Sequence, residues 1–550
     1  MTKRNLILSL SGAILLSLPW YAPFPGLLLW VAWLPLLALE HNFSQRRARG
    51  CWKYYALTFV LWNLFTTWWI YRATLFGAVG AVLGNSLQMF VIFALFRWVK
   101  RHAGSSIGYT FLVALWLAWE YFYFDAEISW PWLVLGHGFA KDIPLIQWID
   151  YTGVLGLSLW VWLVNLLLFT YLKFIARRLP LPFRSTGRRR LAFHLLLFAT
   201  LVPGPVVLSL VRFHTYREPH APCHVVVVQP NIDPYRDKFG NMTAEQQLNV
   251  WLTLAGEAAD SATHYVVAPE TVFGNVVENT MEWNGTVRRI RDFAQQYPHL
   301  SVIAGMSSYR FYPAGERPTH TAHRMDDGYY DNYNSAVQIA RIGDFQVYHK
   351  SKLVIGVEKL PYPQYLRFLE DWAIDLGGIT GSLATDNERH VFTVPGSPFR
   401  TGVAICYESV YGRFYTEYVK NGANLMFVIT NDGWWGNTPG YRQHLTYASL
   451  RAVETRRSIA RSANTGISAL INQRGEITER TGWWTPATLK GTLHANDEMT
   501  FYVTHGDYIG RLACLVALLM FLVALGRWIP RQSPGGRNFR NRGSATLGNR

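Results

Sequence analysis

His224-Val-Val-Val-Val-Gln229 runs directly into Pro230 and Asn231. Four consecutive valines closed by turn-forming residues read as a strand buried on both faces, because a half-exposed strand would alternate apolar with polar. The same signature recurs downstream at His264-Tyr-Val-Val-Ala268, Ser301-Val-Ile-Ala304, Ser335-Ala-Val-Gln-Ile339, Gly402-Val-Ala-Ile405 and Leu425-Met-Phe-Val-Ile-Thr430. Helical periodicity occupies the intervals at 244–260 and 286–297, with a longer stretch at 443–457. Strands alternating with helices predict an α/β domain, here spanning 215–507, and such a length can bury a full core.

On both sides of this domain the chain changes character. Apolar stretches at 5–20, 24–39, 54–71, 75–96, 107–122, 153–174 and 191–211 precede it, and one at 508–529 follows. Most approach the ~20 residues that cross a bilayer as a helix, and Trp and Tyr sit near many of their ends as interfacial anchors. A cleavable signal peptide is the competing reading of the first stretch, but no small-x-small cleavage site follows it.

Charge supplies the orientation. Of the 52 Lys and Arg, 22 lie in five segments: before the first stretch, after the second and fourth, between the sixth and seventh, and after the eighth. An eight-span arrangement with both termini inside satisfies the positive-inside rule at every connection. The remaining 30 basic residues face 36 acidic ones, so the net charge of +16 reports topology and nucleic-acid binding loses its support. The expected organisation is a seven-span region over 1–214, an extracytoplasmic domain over 215–507, an eighth span over 508–529 and a basic tail over 530–550. With 16% charged residues and 50% apolar ones, intrinsic disorder is excluded. Four cysteines without a Cys-x-x-Cys pair exclude a disulfide framework and a zinc ribbon. His320-x-x-His323 lacks a third matched ligand, so no metal and no cofactor is expected.

Three strand ends carry reactive side chains: Ala268-Pro-Glu270-Thr, Tyr348-His-Lys350-Ser and Ala404-Ile-Cys406-Tyr-Glu408. Taken singly, each has a bland reading, as a turn carboxylate, an exposed lysine and a buried structural thiol. Together, in this chain order, they resemble the carbon–nitrogen hydrolase (nitrilase) superfamily. The whole chain is similar to the apolipoprotein N-acyltransferases, through Gln229-Pro-Asn-Ile232, Pro269-Glu270-Thr271, Tyr348-His-Lys350 through Glu358, Ile405-Cys406-Tyr407-Glu408, Asn431-Asp432-Gly-Trp-Trp-Gly436, Gln443-His444-Leu445 and Arg461-Ser-Ala-Asn464. The resemblance implies a polytopic α-helical membrane domain joined to an αββα sandwich, in the inner membrane with the sandwich on the periplasmic side.

It also implies a reaction. Cys406 takes an acyl chain from a membrane phospholipid, phosphatidylethanolamine being the expected donor, and passes it to the α-amino group of a diacylglyceryl-cysteine on an apolipoprotein. Only a few per cent of a free thiol is ionised at neutral pH, so Cys406 needs Glu270 as base. Lys350 supplies positive charge for the thiolate and for an oxyanion, with the backbone N–H of Tyr407 completing the hole. Glu358 and Glu408 are expected around Lys350 and Glu270, orienting them. A monomer is expected. The alternative enzyme is an amidase or lipid thioesterase that uses water, and a non-catalytic scaffold is a third class.

Moving a ~16-carbon chain into water costs on the order of 12 kcal/mol, which is a reason for the thiol to lie near the bilayer. The stretch 361–380 is a candidate lid, with Tyr365 and Trp372 on one helical face; an ordinary packed helix is the competing reading. Trp434 and Trp435 are candidate walls of the acyl entrance or core residues, and Phe239 is a candidate apolar wall. Leu353-Val-Ile-Gly-Val-Glu358 departs from the family's Pro-Phe-Gly approach to that carboxylate, which leaves the conformation of the Ile355-Gly356-Val357 loop open. His444 is expected as a structural group on a helix.

Overall fold

In the computed structural model, residues 2–46, 49–176, 188–316, 319–359, 362 and 382–529 are described. Within the α/β domain the strands are β1 (Pro222–Gln229), β2 (Tyr265–Val267), β3 (Phe273–Val277), β4 (Ser301–Pro313), β5 (His323–Met325), β6 (Gly328–Ala340), β7 (Gln346–His349), β8 (Val391–Thr393), β9 (Arg400–Ile405), β10 (Leu425–Thr430), β11 (Ile459–Ala463), β12 (Ala469–Ile471), β13 (Ile477–Arg480) and β14 (Ala487–His494). They form two sheets. One has the order β14-β1-β2-β4-β6-β5, with β3 joined to β4 and β7 to β6; the other has the order β13-β12-β11-β10-β9-β8. β1, β2 and β4 run parallel, as do β9, β10 and β11.

The valine run explains the layering. Successive side chains of a strand point to opposite faces. Val225 and Val227 accordingly join Tyr265, Val403, Phe427 and Ile429 in the core between the sheets, where the rings of Tyr265 and Phe427 meet at 5.3 Å. Val226 and Val228 face the other way, onto Leu248 and Trp251 of helix Ala244–Ala258 and Ile290 and Phe293 of helix Gly285–Gln295. Helices Gly412–Lys420 and Pro439–Thr455 cover the second sheet. Each buried valine contributes about 1.5–3 kcal/mol. The result is the αββα sandwich expected.

The apolar stretches are helical: Lys3–Ser17, Leu34–Gln45, Trp52–Thr67, Leu75–Ala103, Ser105–Tyr123, Ile149–Ala176, the pair Arg188–Leu201 and Pro203–Thr215, and Tyr508–Trp528. Among the described residues, four segments are long and apolar enough to cross a membrane: Gly26–Gln45, Leu75–Ala103, Ile149–Lys173 and Tyr508–Trp528. The pair Leu195–Leu201 and Pro203–Thr215, bent by 41° at a break before Pro203, would make a fifth. The chain is a membrane protein. Lys3–Ser17 and Trp52–Thr67, at 15 and 16 residues, are shorter than a full crossing.

The connection between helices Ser105–Tyr123 and Ile149–Ala176 is more than a loop. It winds through short turns at Pro131–Leu133, Leu135–Phe139 and Ile143–Leu145 and is largely buried. Here the helical region meets the sandwich. Trp132 Nε1 donates to Gln443 Oε1 (2.7 Å), Tyr447 Oη donates to the Trp132 carbonyl (2.9 Å), and Arg456 holds Asp150 through Nε (3.0 Å) and Nη2 (2.9 Å). Gly440 opens the first turn of helix Pro439–Thr455 against the face of Trp69. A Cβ there would lie 2.6 Å from the indole, so the close approach requires glycine.

Candidate active site

Because β9 and β10 are parallel, with Ile405 beside Ile429, the residues after them emerge at one edge of their sheet. Carboxyl ends of parallel strands are where open α/β folds gather reacting groups. Cys406 is the first residue past β9, at φ +51°, and opens the turn Cys406–Val410. A non-glycine residue in this region is strained and persists where its surroundings hold it. They do: the Cys406 carbonyl accepts from Ser409 Oγ (2.8 Å) and lies 3.0 Å from His444 Nε2. His444 is buried, with Nδ1 2.9 Å from Asp432 Oδ1, whose other oxygen binds Arg461 Nη2 (2.6 Å). Asp432 is held well below the usual carboxylate range, since the charges of Arg461 and His444 outweigh the burial that would raise it. His444 thus serves the backbone of the thiol-bearing turn, the structural place expected for it.

Glu270 follows β2. Its backbone is pressed onto β4, where a Cβ on Gly305 would come within 2.6 Å of the Glu270 Cα. Glu270 Oε1 accepts from Lys350 Nζ (2.8 Å) and Asn334 Nδ2 (2.8 Å), and Oε2 accepts from the Asn431 backbone N–H (3.0 Å). Lys350, one residue past β7, is buried and also donates to Glu358 Oε1 (2.9 Å). Asn334 bridges the two carboxylates, donating to Glu358 Oε1 at 2.9 Å, and the Val354 backbone N–H holds Glu358 Oε2 at 2.8 Å. The atypical loop therefore still delivers Glu358 to Lys350.

Charges follow from this geometry. Burial alone would raise the Glu270 pKa, but the attraction and hydrogen bonds of Lys350 and the Asn334 amide hold it below the ordinary range. Lys350 is pushed well above the usual lysine value: burial works against the charge, and Glu270 and Glu358 outweigh it. Burial and the charge of Glu270 drive the Cys406 thiol well above its ordinary value, with Lys350 pulling the other way. The resting site is a thiol, a carboxylate and an ammonium. Lys350 does pull toward the thiolate, in the expected direction, but the dry surroundings and the adjacent carboxylate outweigh it.

Glu408 requires a correction. It touches neither Lys350 nor Glu270. Its Oε2 accepts from the Ile405 N–H (2.8 Å), and its Oε1 from the Ser351 N–H (2.7 Å) and Tyr348 Oη (2.6 Å). It ties the backbone beside Cys406 to the backbone beside Lys350. Tyr407 turns its side chain toward the helical region, donating to the Ser129 carbonyl (3.1 Å) and stacking on Trp130 at 5.5 Å.

A cavity of about 550 Å³ opens over these groups, lined by Glu270, Lys350, Glu358 and Cys406 and walled by Trp434 and Trp435. Trp435 also packs on Trp69 (4.8 Å), so it serves core and wall alike. Phe239 falls in the helical turn Asp237–Asn241, its side chain outside the described residues. Tyr365 and Trp372, with the 361–380 lid apart from Tyr362, also lie outside the described residues. Sequence reasoning missed Asn334 and Asn431, and it passed over Lys238. This lysine lines the cavity, donates to Thr271 Oγ1 (2.6 Å), and has its pKa lowered to about 8 by burial, against the opposing pull of Glu270. Among the described residues no cluster of His, Cys, Asp and Glu is arranged to hold a metal ion.

Two face-to-face sheets with cysteine, glutamate and lysine at three strand ends define an enzyme of the carbon-nitrogen hydrolase class, and the sequence model of the Carbon-nitrogen hydrolase family matches residues 224–498. A second model, the Apolipoprotein N-acyltransferase N-terminal domain, matches residues 12–167. The chain belongs to the carbon-nitrogen hydrolase family, on the branch that carries this N-terminal domain. It is similar to the apolipoprotein N-acyltransferase of Chlorobaculum tepidum, 28% identical over 94% of this chain and 96% of that one. It also resembles that of Thermotoga maritima, 28% identical over 94% of each chain. Among solved structures, Saccharomyces cerevisiae Nit3, a member of branch 10 of the nitrilase superfamily, is 15% identical with a TM-score of 0.36, over 50% of this chain and 90% of that chain.

Proposed function

We propose that the chain is an apolipoprotein N-acyltransferase working through a Cys406 thioester. As Cys406 Sγ attacks the ester carbonyl of a membrane phospholipid, its proton passes to Glu270. The oxyanion that forms is met by Lys350 Nζ and the Tyr407 N–H, electrostatic stabilisation of the kind that carries much of acyl-transfer catalysis. Collapse expels the lysophospholipid alkoxide, which takes the proton back from Glu270 and leaves a thioester. The α-amino group of a diacylglyceryl-cysteine on an apolipoprotein then attacks. Glu270 takes its proton and returns it to the departing thiolate, and the product is an N-acylated lipoprotein. Glu358 and Asn334 keep Lys350 and Glu270 in register, and Glu408 fixes the distance between the end of β7, which carries Lys350, and the thiol's strand. Phosphatidylethanolamine is the donor and the acting unit is a monomer.

The observation that carries this reading is the site's position: the thiol's neighbour Tyr407 stacks on Trp130 and the cavity wall Trp435 on Trp69, both tryptophans belonging to the helical region. A hydrolase of small amides needs no such seam. A lipid substrate does, because its chain then stays among apolar groups. The gathering of 22 Lys and Arg into five segments at alternate connections of the sequence supports eight spans, both termini inside and a periplasmic sandwich on a bacterial inner membrane. The organisation proposed is 1–214, 215–507, 508–529 and 530–550, as stated above.

The test is to supply acyl-labelled phosphatidylethanolamine without acceptor. Wild type is expected to accumulate a thioester-linked label that Cys406→Ala lacks, and mass spectrometry of an added diacylated lipoprotein is expected to show one extra N-linked acyl chain. Labelling of the variant, or release of free fatty acid with no N-acylated product, would overturn the proposal.

A further inference from the structure

Lys238 lines the catalytic cavity together with Glu270, on the turn Asp237–Asn241. The chain that brings it there from β1 is held along its length. Asn464 accepts from the Asn231 N–H with its carbonyl and from the Ile232 N–H with its Oδ1, each at 3.0 Å. The Lys238 N–H donates to the Asp233 carbonyl (3.0 Å), and the Lys238 carbonyl accepts from Gln247 Nε2 of helix Ala244–Ala258 (2.9 Å). From this fixed base the side chain reaches one neighbour of the catalytic carboxylate: Lys238 Nζ donates to Thr271 Oγ1 at 2.6 Å.

Thr271 directly follows Glu270, and its φ is +45°. A β-branched residue in the left-handed region is a genuine outlier and persists only where its surroundings impose it. Two contacts do so. β4 is pressed against the backbone, since a Cβ on Gly305 would lie 2.7 Å from the Thr271 nitrogen and 2.6 Å from the Glu270 Cα. Lys238 holds the hydroxyl. Released to an ordinary negative φ, the segment between β2 and β3 would swing and carry Glu270 with it. A proton-transferring group displaced by about 1 Å loses on the order of 10²-fold in rate.

We propose that Lys238 is a positioning residue for Glu270, acting through the Thr271 hydroxyl. The inference rests on the thioester reading above and adds a part to it. A protonated amine makes the bond to Thr271 charge-assisted and so stronger than a neutral one would be. The titratable groups that share its cavity are Glu270, Lys350, Glu358, Cys406, Tyr309 and Tyr333, and Asp237 precedes it on its own turn. Burial lowers the Lys238 pKa to about 8, against the pull of Glu270, so the hold on Thr271 weakens as pH rises through that value.

The full-length protein is given acyl-labelled phosphatidylethanolamine without acceptor, and the rate of thioester labelling is followed against donor concentration. Lys238→Met is expected to lower the saturating rate about tenfold or more and to leave the half-saturating concentration within about twofold. Thr271→Val keeps the branched shape, removes the hydrogen-bond acceptor and is expected to match it. The double variant should fall no more than about twofold below the slower single one, because two residues acting through one bond are not additive. The wild-type advantage over Lys238→Met should shrink several-fold from pH ~7 to pH ~9, whereas a merely structural lysine would leave that ratio constant. A higher half-saturating concentration at an unchanged saturating rate would make Lys238 a ligand of the donor and overturn the proposal. Additive losses in the double variant, a constant ratio, or a wild-type rate in Lys238→Met would overturn it equally. Should Lys238→Met fail to fold, Thr271→Val decides the matter on the same rate and the same pH ratio. Absence of label from wild type itself would strike the thioester reading, and this inference with it.

Discussion

Asn334 donates one amide to two carboxylates, and its effect on Glu270 has a definite sign. A donor to the charged form lowers the pKa of an acid. In Asn334→Ala the Glu270 pKa therefore rises, and the acid limb of kcat/KM moves to higher pH, with kcat/KM at neutral pH down on the order of tenfold. An unmoved limb would remove Asn334 from the control of Glu270. His349, beside Lys350, is a second such residue. Its Nε2 meets Glu278 Oε1 at 2.8 Å and its Nδ1 meets Asp386 Oδ1 at 3.0 Å. Burial would lower its pKa, but these hydrogen bonds and charges raise it to about 9. A folded-state pKa above the unfolded value of ~6.5 means a stabilisation fully present below ~6.5 and lost as pH rises through about 9. Its size is about 3 kcal/mol. Thermal unfolding should show wild type losing stability across that window while His349→Gln stays flatter; parallel curves would contradict this. Glu270 and Cys406 were legible because each ends an apolar run, and Lys350 because Tyr348-His-Lys350 read as a third strand end beside them. Asn334 was not, since an asparagine inside a strand carries no periodic mark, and Glu408 was legible as a carboxylate while its backbone partners were not.

At the scale of elements, helix Pro439–Thr455 joins two environments. One face covers the sheet that carries Cys406, and the other is pressed on Trp20, Trp69 and Trp132, with Trp20 Nε1 donating to Tyr447 Oη at 3.0 Å. Gly440→Val forces the helix off Trp69; overpacking of this kind costs about 1–3 kcal/mol. The variant should show a lower Tm together with reduced acyl transfer, and an unchanged Tm would mean that the seam is loose. Strands buried on both faces were read directly from their valine and isoleucine runs. β11, Ile459–Ala463, was not, because its arginine and serines are satisfied inside the protein: Arg461 binds Asp432 and Ser462 Oγ donates to the Val228 carbonyl (3.1 Å). The short strands β5 and β8 were missed because three residues are too few to show a period. The burial of the connection at 131–145 leaves no periodic mark in the sequence, because it comes from contacts with residues some 300 positions away.

At the scale of the molecule, a single apolar core runs from Trp33 in the helical region through Trp132 to Phe427 between the sheets. A fragment covering only 215–507 would expose the face that Trp20, Trp69 and Trp132 now cover. Light scattering should find it aggregated without detergent, and a soluble folded monomer would show that the two regions are independent. The sandwich also begins and ends on neighbouring strands: β1 pairs antiparallel with β14, Pro222 beside His494. On a ribosome adding about 5–20 residues per second, those partners are born on the order of tens of seconds apart. Through that interval the nascent domain carries an open edge of unpaired backbone, the kind of template on which chains aggregate. Its quality control must therefore act before the last crossing helix is made.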